Sequence, residues 1–172
     1  RMLIMGVPNV GKSTIINALK NKKIAKVGNV PAVTKMQQRI EINSRMILTD
    51  TPGMMWPKIT NELDGIFLAA SHSIGINAYD EIETALILSD TLKERYPELL
   101  LAYYGFTKPI PSDEEFLGHI AKARNFIIKG GKANLLKAAV TFINDYRNGV
   151  IGKISLESPS SRKLMLDNSK TK

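Results

Sequence analysis

Gly6-Val7-Pro8-Asn9-Val10-Gly11-Lys12-Ser13-Thr14 sets two glycines, a lysine and two hydroxyls in the order that a polyphosphate requires. A glycine, four residues and then Gly-Lys-Ser allow successive backbone N–H groups to wrap phosphate oxygens. Lys12 is placed to neutralise the β and γ phosphates. Ser13 offers its hydroxyl to Mg2+ at the start of a helix whose dipole favours an anion. The nucleotide-binding candidates of this loop are Asn9, Val10, Gly11, Lys12, Ser13 and Thr14.

Two further stretches complete the chemistry. Asp50-Thr51-Pro52-Gly53 follows the apolar run Met46-Ile47-Leu48, which puts a carboxylate at the end of a strand, where the magnesium shell needs a second ligand. Gly53 offers an N–H to a γ phosphate with no Cβ in the way. Thr34 sits in a turn-rich segment, 27–35, between these two motifs, where a switch threonine brings its hydroxyl to magnesium and its N–H to the γ phosphate. Ser13, Thr34 and Asp50 are thus the expected magnesium ligands of a phosphate-binding NTPase.

The elements that must hold these residues follow from periodicity. Met2-Leu3-Ile4-Met5 reads as a strand feeding the loop, and Ser13 to Lys20 as a helix with Ile15, Ile16 and Leu19 on its apolar face. Gln38 to Ile42 alternates and turns at Asn43-Ser44 into Met46-Ile47-Leu48, a hairpin. Beyond residue 62 the spacing is helical. Leu63, Ile66, Phe67, Ala70 and Ile74 predict one helix, and Asn77 caps a second that carries Ile82, Leu86 and Leu92 and ends near Pro97. Gly105 to Pro111 is a linker. Ser112 with Glu115 predicts a capping box for a helix that Gly130-Gly131 stops, and a last helix runs from Asn134 to Arg147. The fold expected is a partial α/β phosphate-loop domain over 1–60, an all-α domain over 61–156 and a disordered tail over 157–172.

Composition bounds the function. The 172 residues lack cysteine, which excludes a disulfide scaffold and thiolate zinc and suits a reducing compartment. No run approaches the roughly 18 apolar residues of a membrane span and no signal peptide is visible, so a soluble intracellular protein is expected. Residue 1 is Arg directly before a buried-type strand, as if the chain began mid-fold. The net charge of +8 is unevenly spread: ten Lys/Arg against two acids over 1–59, three against eleven over 60–118, eleven against three over 119–172. The last segment fits either an RNA-facing surface or a solvated face with a disordered tail. Lys122, Arg124, Lys129, Lys132, Lys137 and Arg147 are its candidate RNA-binding residues, of the kind that grip phosphate backbone with little base specificity.

The phosphate loop, Asp50-Thr51-Pro52-Gly53-Met54-Met55-Trp56-Pro57-Lys58 and Asp145-Tyr146-Arg147-Asn148-Gly149-Val150-Ile151-Gly152-Lys153 together resemble the circularly permuted GTPases of ribosome assembly, the YlqF/RbgA group. The resemblance covers most of the chain. It implies binding and hydrolysis of GTP, release of GDP, a role late in maturation of the large ribosomal subunit, and a C-terminal helical domain on rRNA. It also implies a bacterial cytoplasmic location, or the mitochondrial matrix in a eukaryote, and a monomer is expected.

The guanine-reading Asn/Thr-Lys-x-Asp motif is missing after Asp50. Asn21-Lys22-Lys23-Ile24 and Thr107-Lys108-Pro109-Ile110 both lack the Asp. In the resembled family it precedes the phosphate loop, so it is expected upstream of Arg1. The residues by themselves leave guanine and adenine open, and with them a phosphate-loop ATPase or a non-catalytic RNA-binding module that uses nucleotide as a structural ligand. Met54 stands where Ras-like GTPases keep the glutamine that orients water, so hydrolysis is expected to be slow unless a ribosomal subunit stimulates it, and no catalytic residue is assigned. In related GTPases an asparagine at the place of Asn9 helps hold K+ against the phosphates; the alternative is a turn asparagine bonded to its own backbone. Trp56 is expected to pack at a domain junction, Tyr103-Tyr104 to pack within the helices, and His72 and His119 to stand outside catalysis.

Overall fold

Parallel pairing of the first and third strands decides where the chemistry sits. The structure, a computed structural model, describes residues 1–22, 24–25 and 36–169, which divide into two units: Arg1–Ile59 with Ser71–Ala78, and Thr60–Ala70 with Tyr79–Lys172. In the first, β1 (Met2–Ile4) pairs in parallel with β3 (Met46–Asp50), and β2 (Gln38–Asn43) lies antiparallel on the other side of β3. The register sets Met2 opposite Leu48 and Ile4 opposite Asp50, so the carboxyl ends of β1 and β3 finish together. Whatever leaves those ends, the phosphate loop after β1 and Asp50 to Gly53 after β3, must meet there.

The hairpin is locally specified. Asn43 Oδ1 accepts from Arg45 N at 3.0 Å, an Asx turn that reverses the chain. Alternation then sends Ile40 and Leu48 inward to pack with Ile16 of α1 (Lys12–Lys20) and with Ala25. Asn17, one residue beyond Ile16, accepts from Ile24 N and Ala25 N and donates to Ala25 O. Its carboxamide is a three-bond clasp that returns the chain to α1. On the side of β1 away from β3 no strand lies among the described residues, and Met2 and Leu3 are 52% and 56% exposed.

The second unit contains α2 (Glu62–Ala70), α3 (Glu81–Arg95), α4 (Pro97–Tyr104), α5 (Asp113–Ala123), α6 (Leu135–Arg147) and α7 (Pro159–Ser169). Its core joins Leu88 and Leu92 of α3 to Phe116 and Ile120 of α5 and Phe142 of α6. Phe106 stacks on Phe116 with ring centroids 4.9 Å apart, and Phe116 meets Phe142 edge to face at 5.0 Å. Among the described residues no helix is long and apolar enough to cross a membrane.

Several boundaries differ from the sequence expectation. Pro97 does not merely stop α3: it opens α4, since a proline in the first turn sacrifices no helical hydrogen bond. The cap of α3 is Asp80, whose carboxylate accepts from Glu83 N at 2.8 Å, and not Asn77. Ser112 precedes α5 without a side-chain cap bond, so the predicted capping box does not form. α5 ends at Ala123; Ile127 belongs to a small antiparallel bridge with Ala133 that crosses the Gly130-Gly131 turn. The tail expected to be disordered forms α7 over Pro159–Ser169, where Arg162 pairs with Asp64 of α2 and with Glu157. Composition read those serines as solvated; Ser158 instead accepts from Ser161 N and starts the helix.

Thr84 is fully buried on α3, and its Oγ1 finds no hydrogen-bond partner among the described residues. A buried hydroxyl without a partner is a net loss. Thr84→Val is therefore expected to hold or raise stability by about 0.5–1 kcal/mol in denaturant unfolding. A loss above about 1 kcal/mol would show that the hydroxyl is bonded after all.

Candidate nucleotide-binding site

Gly11 is the residue before α1 and has φ +87°, a left-handed conformation that glycine alone takes at no cost. That turn starts the helix, and Ile15 N bonds back to Gly11 O at 2.9 Å. Lys12, only 8% exposed, curls back over the loop it follows and donates from Nζ to Val7 O at 2.8 Å and Gly6 O at 3.2 Å. The ammonium is therefore held at the loop that would receive phosphates. Ser13 Oγ donates to Asp50 Oδ2 at 2.9 Å.

The strand-end motif is fastened to β1 and to the loop that follows it by three contacts. Thr51 Oγ1 donates to Ile4 O at 2.7 Å, and Met54 N donates to Gly6 O at 3.2 Å. Gly53 lies so close to Pro8 that a Cβ built on it would stand 2.5 Å from Pro8 Cα and 2.6 Å from Pro8 N. Glycine is required there because backbone passes backbone. Asp50 is 1% exposed and is a carboxylate in the low-dielectric end of the sheet. Its pairing with the Ser13 hydroxyl gives two hard oxygen donors side by side. That set suits Mg2+, which keeps most of its shell for water and phosphate oxygens. Among the described residues no cluster of three or more His, Cys, Asp or Glu offers a metal an all-protein cage.

Of the residues expected from the sequence, the structure thus brings the loop from Asn9 to Thr14 together with Asp50 and Gly53. Thr34 lies outside the described residues. Thr51 and Pro8 were not singled out by the sequence; the signal for Pro8 was the glycine opposite it. Asn9, at φ +60°, does not bond its own backbone: its Nδ2 donates to His72 O at 2.9 Å, 63 positions along the chain. His72 carries no sequence signal for this, since it contributes a main-chain carbonyl. Met54 is 54% exposed and Trp56 67% exposed, so the tryptophan is not the packed residue expected of it. Residues 51–60 form no helix or strand.

The basic residues divide into two groups. Lys122 is exposed on the last turn of α5, and Lys129 and Lys132 flank the Gly130-Gly131 turn of a second, small hairpin closed by the Ile127–Ala133 bridge, where Ile128 N bonds Lys132 O at 2.9 Å. Lys137 sits over the Phe126 ring, its Nζ 4.4 Å from the centroid. Two arginines are otherwise engaged. Arg124 pairs with Asp145 at 3.3 Å and touches the Tyr103 hydroxyl. Arg147 donates to Ala69 O at 2.7 Å, Ala70 O at 2.9 Å and the Tyr79 hydroxyl at 3.1 Å. It caps the carboxyl end of α2 from within the unit. Tyr104, packed in the aromatic core, donates to Asp145 at 2.9 Å. Burial first, then the charge of that carboxylate, pushes its phenol far above the ordinary range and keeps it a donor.

A model of the 50S ribosome-binding GTPase family matches residues 1–108. The chain is 38% identical over 159 residues to Ribosome biogenesis GTPase A of Bacillus licheniformis, covering 92% of this chain and 56% of that protein. It is 33% identical over 159 residues to the protein of the same name from Thermotoga maritima, again covering 92% and 56%. Among solved structures it resembles GNP-bound YlqF from T. maritima with a TM-score of 0.62 and 29% identity, over 92% of this chain and 59% of that one. A GDP-bound YlqF matches with a TM-score of 0.60 and 28% identity, over 92% and 60%. The chain spans little more than half the length of the curated relatives it matches.

Proposed function

Since this chain belongs to the 50S ribosome-binding GTPase family, and within it to the YlqF/RbgA group, we propose that it is the phosphate-binding and helical part of a GTPase that acts in maturation of the large ribosomal subunit. The observation that carries the reading is the convergence of Lys12, the Ser13–Asp50 pair and the Gly53–Pro8 contact at one end of the sheet. Lys12 offsets charge on the β and γ phosphates, and the loop amides orient them. Ser13 and Asp50 would hold Mg2+, which supplies charge neutralisation between those phosphates. Gly53 presents its N–H at the γ position, and Thr34 belongs to the same set. GTP would order the Thr34 segment for docking, and loss of the γ phosphate would undo that order, which is the signal.

Guanine would be read by an Asn-Lys-x-Asp motif that precedes the phosphate loop, in the permuted order of the resembled family. The outer side of β1, with Met2 and Leu3 exposed, supports a strand arriving there. The Met54 thioether orients no water, so turnover would rise only on the ribosomal subunit, in the bacterial cytoplasm. Asn9 would assist through K+. Competition of unlabelled nucleotides for labelled GDP on the full-length protein tests the assignment. Displacement by GTP and GDP with ATP inert is expected, and equal displacement by ATP would establish the ATPase instead. Negligible turnover even with ribosomal subunits and K+ would leave a nucleotide-stabilised RNA-binding module.

The RNA grip would come from Lys122, Lys129, Lys132 and Lys137, on the hairpin and the turns beside it. Lys129→Glu with Lys132→Glu is expected to weaken binding to rRNA or the subunit by about tenfold or more, to lessen its salt dependence, and to leave the melting temperature unchanged. Unaltered binding would remove the hairpin from the interface.

A further inference from the structure

We infer that His72 is a positioning residue for the phosphate loop, acting through its main-chain carbonyl on Asn9. This rests on the proposed part of Asn9 as a ligand for a monovalent cation beside the phosphates. A carboxamide has two ends: Nδ2 donates and Oδ1 accepts. The carbonyl of His72 only accepts, so the 2.9 Å contact fixes which end faces it. Nδ2 is committed to His72, and Oδ1, the atom that can ligate a cation, is held on the opposite branch. Without that contact the amide is free to rotate and turn its N–H groups toward the cation.

The carbonyl is aimed by backbone conformation. α2 ends at Ala70, and two residues later His72 takes φ +63°, left-handed and open to few side chains. Ser73 beside it is 2% exposed, and Ser71 Oγ lies 3.2 Å from Ser73 Oγ across the turn. Asn9 has φ +60° itself, so the contact joins two left-handed residues. The imidazole plays no part in it, which makes the assignment separable from any role of the ring.

The prediction is a graded one: substitutions should act in order of their tolerance for the left-handed region and not of their resemblance to histidine. The test is the K+ concentration that gives half-maximal tightening of the binding of a labelled non-hydrolysable GTP analogue to the full-length protein, read beside the K+ concentration for half-maximal stimulation of GTP hydrolysis, both at constant ionic strength with Na+. His72→Gly should match or fall below the parent value, His72→Ala should exceed it, and His72→Val should exceed it by about tenfold, the size of one lost hydrogen bond. Asn9→Ala should abolish the K+ response. A merely structural lesion would lower the rate at saturating K+ without moving the half-saturation point. If His72→Val does not fold, the comparison of Gly with Ala decides. Should Asn9→Ala lose the response while the His72 series stays flat, His72 is overturned and the cation reading stands. Should Asn9→Ala keep the response, both are overturned.

Discussion

In the full-length protein, Gly53→Ala is expected to lower the proposed GTP turnover by about a hundredfold, the usual consequence of displacing a catalytic segment by an ångström, and to cost about 1–3 kcal/mol of stability. The added methyl meets Pro8 Cα at 2.5 Å and Pro8 N at 2.6 Å, and main chain cannot rotate aside as a side chain does. The Met54 N–H···O=C Gly6 bond lies one residue beyond and would part with it. Trimming the opposing ring is not expected to help. Pro8→Gly removes Cγ, which stands 2.7 Å away, but leaves the two nearer atoms in place. Normal turnover and normal melting in Gly53→Ala would show that the two segments are not in contact in solution.

Arg147→Ala should destabilise the helical unit by about 2–4 kcal/mol, because a charged donor to two helix-terminal carbonyls is removed and those carbonyls stay partly buried. Arg147→Lys keeps the charge but cannot reach Ala69 O, Ala70 O and the Tyr79 hydroxyl together, so it should recover a minority of the loss. Denaturant unfolding reads both. This separates the arginine from Lys129 and Lys132, whose reversal should alter RNA binding and not stability. A variant at 147 that keeps its melting temperature yet fails to bind RNA would return Arg147 to the interface.

The readable parts of the chain were those where chemistry leaves a local trace. A phosphate loop needs its glycines and lysine at fixed spacing, so Gly6 to Thr14 was legible, and so was Asp50 at the end of an apolar strand. Asn134 announced α6, and its side chain indeed accepts from Lys137 N. What escaped depends on partners distant in sequence or on competing local signals. Arg147 looks like any basic helix end; only α2, folded back upon it, turns it into a cap. Pro97 reads equally as a stop or a first turn. The serines of 158–161 carry the composition of a tail and also the hydrogen bonds of a helix start, and Arg162 with Asp64 favours the helix. The Asn9–His72 contact leaves no trace because a carbonyl belongs to every residue.

The register of β1 on β3 has a consequence in time. Met2 and Leu48 are neighbours across 46 residues of chain (48 − 2), whereas the Asn43 turn closes β2 onto β3 within a few. Loop-closure entropy makes the hairpin the early event and the docking of β1 the late one. Only that last step brings the serine of the phosphate loop to the carboxylate of β3. A nucleotide that needs both therefore binds after the slow step and favours it by mass action. Nucleotide present while the chain folds would be expected to raise the yield of folded protein more than the same nucleotide added afterwards.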